Sequence, residues 1–281
     1  MTRAHFRHIV LVLLRLATVC ALAASANLAQ RESGTSHTVR TAPKLALDHV
    51  VVAVNDLEAA AARYRALGFT LKPGRPHANG IRNWHAKFPD GTEVELLTAP
   101  EASDDLTAKY RKHLAEGDGP AYLALYPGPD ERPSAAMPPY IFFGGLNHSP
   151  TDKPEHFAHT NTAESLIGVW VADPPLAVAL LAAKGHTADT LPAEAVALGW
   201  PAQKFPLDGG AVFLLPTDRR RLQSRPIVGV MLRVKDLAAT ERALRASGVQ
   251  HQRGEGLRGQ NHLLVPPESA HGVWLDFVGA R

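Results

Sequence analysis

Thiols are almost missing from this chain of 281 residues: its one cysteine is Cys20, inside an apolar run near the amino terminus. If that run is removed, what remains has no disulfide, no thiolate nucleophile and no sulfur metal ligand, and it tolerates an oxidising compartment. An excess of charge is missing too. Thirty basic residues stand against 27 acidic ones, and three of the basic residues, Arg3, Arg7 and Arg15, lie within the first 26 positions. Without them the balance is 27 to 27, so the basic whole-chain pI of about 9.1 carries no argument for nucleic acid. Nor is there a membrane-spanning run, which needs about 20 uninterrupted apolar residues. The stretch Ile9–Ala24 is broken by Arg15. With its preceding arginines and the small-x-small triplet Ala24-Ser25-Ala26, it reads as a secretory signal peptide over residues 1–26. The expectation is a periplasmic or secreted protein with no stable membrane insertion after cleavage. Val19 before Cys20 argues against a lipid anchor.

Apolar residues make up 45% of the chain, enough for a sizeable core. Residues 27–46 are polar and aperiodic and read as a flexible leader. The informative stretch is Leu47–Thr98. It opens with the β-branched strand LDHVVVAV and closes with TEVELL. Side chains alternate faces along a strand, so His49, Val51 and Ala53 share one face and Glu93, Glu95 and Leu97 another. If both faces point inward, an imidazole and a carboxylate meet in an apolar interior. A buried carboxylate needs a cation, a donor or water beside it. From these two residues alone a hydrogen-bonded core histidine or a solvated glutamate reads as well as a metal site.

Between the strands, Asn55 and Asp56 are N-cap residues, and Asn55 with Glu58 has capping-box spacing. Leu57, Ala60, Ala61, Tyr64 and Leu67 recur at helical intervals, and Gly68 ends the helix. A strand over Phe69–Lys72, a loop with His77, a third strand over Asn83–Phe88 and an Asp90-Gly91 hairpin complete a βαβββ module over 47–118. One such module leaves a sheet face open, which a second copy would cover. Residues 227–249 repeat it at an offset of 180, with Asp236 on Asp56, Leu237 on Leu57 and Gly248 on Gly68. This copy, 226–281, ends in GVWLDFV, where Asp276 stands for Glu95. A weaker copy over 166–218 begins LIGVWVADPPLAVALLAAKG, with Asp173 and Gly185 on Asp56 and Gly68. Residues 119–165 are either an irregular insertion, a lid over the cup, or a degraded module whose helix is lost.

The segments LDHVVVAVNDLEAAAARYRALGF, DGTEVELL and HGVWLDFV resemble the vicinal oxygen chelate superfamily, the glyoxalase-like proteins, from Leu47 to about Val278. The resemblance implies an α+β fold of tandem βαβββ modules forming cupped mixed sheets, of the glyoxalase/bleomycin resistance/dihydroxybiphenyl dioxygenase type. It also implies a divalent metal ion held by a His on the first strand and a Glu on the last strand of each module. His49 and Glu95 match as metal ligands, and Asp276 is an acceptable oxygen ligand. The departures are Gly229 and Leu166 at the histidine position of the last and middle copies, and Phe213 at the middle glutamate position. A barrel of the first two modules then has two family ligands, whereas catalytic sites of this kind want three. A third ligand can be sought at His77, His85, His148, His156 or His159, although a loop histidine is first of all a solvated or locally bonded ring. His159 and Asn161 stand in HTNTA, the place of a family histidine-asparagine motif.

Two functions compete. In the first, a metal-assisted isomerase or lyase acts on a small molecule with adjacent oxygens. His49 and Glu95 hold the ion, His77, His159 and Asp276 are the candidate catalytic groups, and Asn83, Trp84 and Asn161 contact substrate. With one family-matching strand histidine, ring-cleaving dioxygenase chemistry is disfavoured. In the second, the same cup is a metal-free small-molecule binding protein.

Overall fold

The computed structural model describes residues 45–128, 136–146, 148–184, 191–256 and 259–279. The expected signal peptide, Cys20, the leader up to Lys44 and Gly185 lie outside the described residues. Residues 42–281 form one compact unit. The last two positions expected to be leader are structured. Leu45 is buried and its carbonyl accepts the N–H of Asp208 at 2.9 Å.

The first module contains β1 (Ala46–Ala53), α1 (Leu57–Ala66), β2 (Lys72–Pro73), β3 (Arg82–Lys87) and β4 (Glu93–Thr98). Asp56 is the N-cap of α1, its carboxylate accepting the N–H of Ala59 at 2.9 Å. The capping box expected of Asn55 and Glu58 does not form. The Asn55 side chain instead donates to the carbonyl of Leu114 and to Asp118, while Glu58 accepts the indole N–H of Trp84 at 3.4 Å. α2 (Asp105–Ala115), β5 (Gly119–Tyr126) and β6 (Ile141–Phe143) follow.

The second half runs through β7 (Ala163–Val171), α3 (Leu176–Ala183), β8 (Ala193–Ala195), β9 (Pro201–Leu207) and β10 (Gly210–Leu214). It ends with β11 (Ile227–Val234), α4 (Leu237–Ala246), β12 (Gln252–Glu255), β13 (Asn261–Val265) and β14 (Trp274–Gly279). Asp236 caps α4 as Asp56 caps α1. Asp173 does not cap α3, whose N-cap is Pro175. The Asp173 carboxylate is bound by Arg220 at 3.1 Å and Tyr140 at 2.5 Å instead.

Two mixed sheets result, in the orders β2-β3-β4-β1-β5-β6 and β12-β13-β14-β11-β7-β10-β9-β8. The first module therefore pairs with the segment that follows it, and the two later copies pair with each other. β1 lies antiparallel to β5, and β11 antiparallel to β7. β5 pairs parallel with β6, as β1 does with β4. One face of each sheet carries α1, α3 and α4, and these faces merge into one core. Val50, Val52, Val94 and Leu96 from the first sheet and Val230, Leu232, Leu275 and Phe277 from the second belong to it. Phe69 stacks on Phe277 with ring centroids 6.1 Å apart, joining the halves. The opposite face of each sheet is the cup. In the first sheet, one end of that face is covered by α2 through Tyr110 and Leu114 packed on Val51, Ala53 and Leu97, which leaves the other end open.

Candidate active site

The period of two along three neighbouring strands builds the open end of the first cup. His49 on β1, Asn83, His85 and Lys87 on β3, and Glu93 and Glu95 on β4 all line one cavity of about 380 Å³. Lys72 and His77 line it from the β2 side, and Ser149 and Thr151 close it from the segment after β6.

His49 and Glu95 come together, Nε2 to Oε2, at 3.7 Å. Each is held from behind. The Nδ1–H of His49 donates to Asp48 Oδ1 at 3.1 Å, and the amide of Asn83 donates to Glu95 Oε1 at 2.6 Å. Burial works against a charged His49, but the hydrogen bond to Asp48 and the charges of Glu95, Asp48 and Glu93 outweigh it, so its pKa is raised. His85 repeats this beside it. Its Nδ1 lies 2.9 Å from Glu93 Oε1, and although burial opposes the charge, Glu93 and Glu95 raise its pKa as well. The floor therefore carries two imidazole–carboxylate pairs. Lys72 and Lys87 stand on the wall, both bonded to Asp152, at 2.5 and 2.8 Å.

The remaining expected site residues have other places. His77 lines the cavity, with its Nε2 buried and without a hydrogen-bond partner among the described residues. Trp84 follows Asn83 and so points to the other face, where the Arg65 guanidinium lies 4.7 Å above its ring. His159 is buried between Phe69 and Phe88. Its Nδ1 accepts the Thr70 N–H at 3.0 Å and its Nε2–H donates to the Lys87 carbonyl at 2.9 Å, and burial lowers its pKa, opposed by the bond to Lys87. Asn161, fully buried, donates to the Leu67 carbonyl at 2.9 Å and accepts the Ala163 N–H at 3.1 Å. The HTNTA motif is thus a strap that ties the end of α1 to β7. Gly68, at φ +90°, makes room for it: a Cβ there would lie 2.8 Å from the Asn161 nitrogen.

Asp276 lies in the other cup, with Oδ1 2.7 Å from Nδ1 of His262, and burial raises its pKa. Strand register relates the two cups. Val51 faces Glu95, Met231 faces Asp276 and Trp170 faces Phe213. Two residues upstream, His49, Gly229 and Gly168 are equivalent, so Gly168, and not Leu166, holds the histidine position of the middle copy. His85 and Leu264 stand opposite Glu95 and Asp276. The pair Asn83–Glu95 in one cup therefore becomes His262–Asp276 in the other.

The same register tests the metal that the resemblance implies. In the first sheet Val51 pairs with Tyr122 and His49 with Ala124, while Ala124 pairs with Phe142. The four central positions are accordingly His49, Glu95, Tyr122 and Phe142. Phe142 packs edge-on against His49, with centroids 5.4 Å apart. Among the described residues, no group of three or more His, Cys, Asp and Glu side chains is arranged to hold a metal ion. His85 and Glu93 are close but bonded to each other. A donor set of one imidazole and one carboxylate flanked by two aromatic rings does not fit a tightly held divalent ion.

Comparison with known proteins agrees with this architecture. Residues 47–130 match the family described as glyoxalase-like domain, and the curled mixed sheets around them are similar to a fold of the vicinal oxygen chelate type. A triple mutant of 4-hydroxymandelate synthase from Streptomyces coelicolor is similar in structure, with a TM-score of 0.57 at 14% identity over 85% of this chain and 94% of that one. A xylose isomerase-like TIM barrel/4-hydroxyphenylpyruvate dioxygenase fusion protein aligns with a TM-score of 0.55 at 12% identity over 90% of this chain. The chain spans about half of that protein, 52% of its length. A search of curated proteins finds no significant match.

Proposed function

We propose that the first cup is the active site of an enzyme of the isomerase or lyase type, which moves a proton on a small molecule bearing adjacent oxygens. The observation that carries this reading is the facing pair His49–Glu95, each member fixed from behind by a partner of its own. Glu95 takes a proton from carbon next to a carbonyl. The C–H electron pair moves into the C–C bond and charge develops on the carbonyl oxygen. His49, whose protonated form Asp48 and Glu95 favour, donates its Nε2–H to that oxygen and stabilises the enolate. With a hydroxyl on the deprotonated carbon, return of the proton to the former carbonyl carbon, as the hydroxyl proton passes to the former carbonyl oxygen, completes an isomerisation. With a leaving group on the carbon beyond the deprotonated one, the enolate pair forms the new C=C bond and the group departs as its anion, which completes an elimination. The metal-assisted form asks for a third ligand beside His49 and Glu95, and the other two central positions hold Tyr122 and Phe142. Tyr122 and Phe142 at the other two central positions favour a second reading, in which the cup binds the same ligands without turning them over.

Turnover of a panel of small hydroxy- and oxo-compounds by the purified protein, with and without added divalent ions, tests the proposal. E95Q is expected to lower kcat by about 10²–10⁴-fold with KM little changed. Ligand binding with no turnover on any panel member supports the binding reading and overturns the enzymatic one. Export follows if residues 1–26 are cleaved, and sequencing the amino terminus of the protein from the producing cell tests it.

A further inference from the structure

Lys72 and Lys87 are cations that the acid–base reading leaves without work. Both line the cavity, and their side chains are only 10% and 5% exposed. Cross-strand pairing puts Lys72 beside His85 and Lys87 beside Glu93, on the same face as the His49–Glu95 pair. The two ammonium groups share a single carboxylate, Asp152, one on each oxygen. Glu93, paired across the strands with Lys87, is bonded to His85. Each ammonium gives one N–H to Asp152 and has others beyond it. Asp152 itself belongs to the turn after Ser149, whose N–H donates to it at 2.8 Å, and its pKa is held well below the usual carboxylate range. Burial opposes this, and the bonds to Lys72 and Lys87 outweigh it.

We propose that Lys72 and Lys87 form a carboxylate-recognition wall, so that the substrate of the first cup is a small organic anion. Its carboxylate binds the two ammonium groups, sharing or displacing Asp152, and its oxygen-bearing carbon is thereby presented to His49 and Glu95. The proposal deepens the reading above by naming the substrate class, and it is tested by binding alone, so its outcome is independent of whether any compound is turned over.

Calorimetric titration of the full protein with glycolate and with ethylene glycol, which differ in one carboxylate, tests it. Glycolate is expected to bind at least tenfold more tightly, and equal affinity overturns the proposal. K72M and K87M are expected each to weaken glycolate at least tenfold while leaving His49 and Glu95 in place, with unchanged circular dichroism as the folding control. D152N removes the competing charge and is expected to tighten glycolate several-fold without relying on loss of a lysine. Unchanged glycolate affinity in folded lysine variants, or weaker binding in D152N, overturns the proposal.

Discussion

In the first cup His49 and Glu95 are each oriented by a neighbour they do not share, Asp48 and Asn83. Asp48 is fully buried and bonded to His49, so its role is to set the tautomer and direction of the imidazole. D48N is expected to lower kcat by tenfold or more with little change in KM, read from steady-state kinetics. His159 has the opposite electrostatic character. Its folded pKa lies below the ordinary imidazole value, so the stability it contributes is present above about pH 6.5 and is lost as pH falls through the lower folded pKa. The stability difference between the wild type and H159Q, from urea unfolding, is expected to shrink as pH drops below about 6.5. Of these residues, His49, Glu95 and Asn83 are legible from the sequence because period two puts them on facing strand faces. Trp84 is excluded by that same period, being adjacent to Asn83. His159 and Asn161 mislead, because a motif that looks chemical is consumed by backbone partners in α1 and β3, far away in sequence.

At the scale of elements, the strap through HTNTA sets how the first module meets the second half. Its bonds reach the Leu67 and Gly68 carbonyls on one side. On the other, Thr162 bonds the carbonyl of Asp236 at the start of α4, at 3.1 Å. Removing the Asn161 side chain leaves a buried carbonyl and a buried N–H unpaired, so N161A is expected to cost about 1–3 kcal/mol in urea unfolding. G68A adds a Cβ against the Asn161 backbone at a positive φ and is expected to destabilise as well. Helix and strand positions followed from caps and alternation, but the capping residue did not always. Asn55 and Asp173 have the right chemistry for caps and are taken by tertiary partners, which local sequence does not reveal. The Phe69–Lys72 strand contracts to Lys72–Pro73 because Phe69 turns into the core between the sheets.

At the scale of the molecule, two cups share one core and have diverged in their floors. The first keeps a His/Glu pair beside charged walls. The second has Gly168, Gly229 and Phe213 at three central positions and a buried His262–Asp276 pair at the fourth, beside a cavity of about 440 Å³. Repeats at 166 and 227 mark the later modules, whereas for 119–165 the sequence leaves an insertion and a degraded module as alternatives, because β5 and β6 retain only the two innermost strand positions. The shared core makes the halves interdependent. F69A, which empties the stack between Phe69 and Phe277, is expected to cost about 3–5 kcal/mol and to lower the denaturation midpoint of both halves together in a single transition. An acid–base pair of His49 and Glu95 acting on bound small molecules must exchange their carbon-bound protons with solvent. Proton NMR of a bound oxo-acid in D₂O is expected to show protein-dependent loss of the signal from hydrogens next to the carbonyl, abolished in E95Q and strongly reduced in H49Q. Exchange at the same rate in E95Q as in the wild type would contradict it.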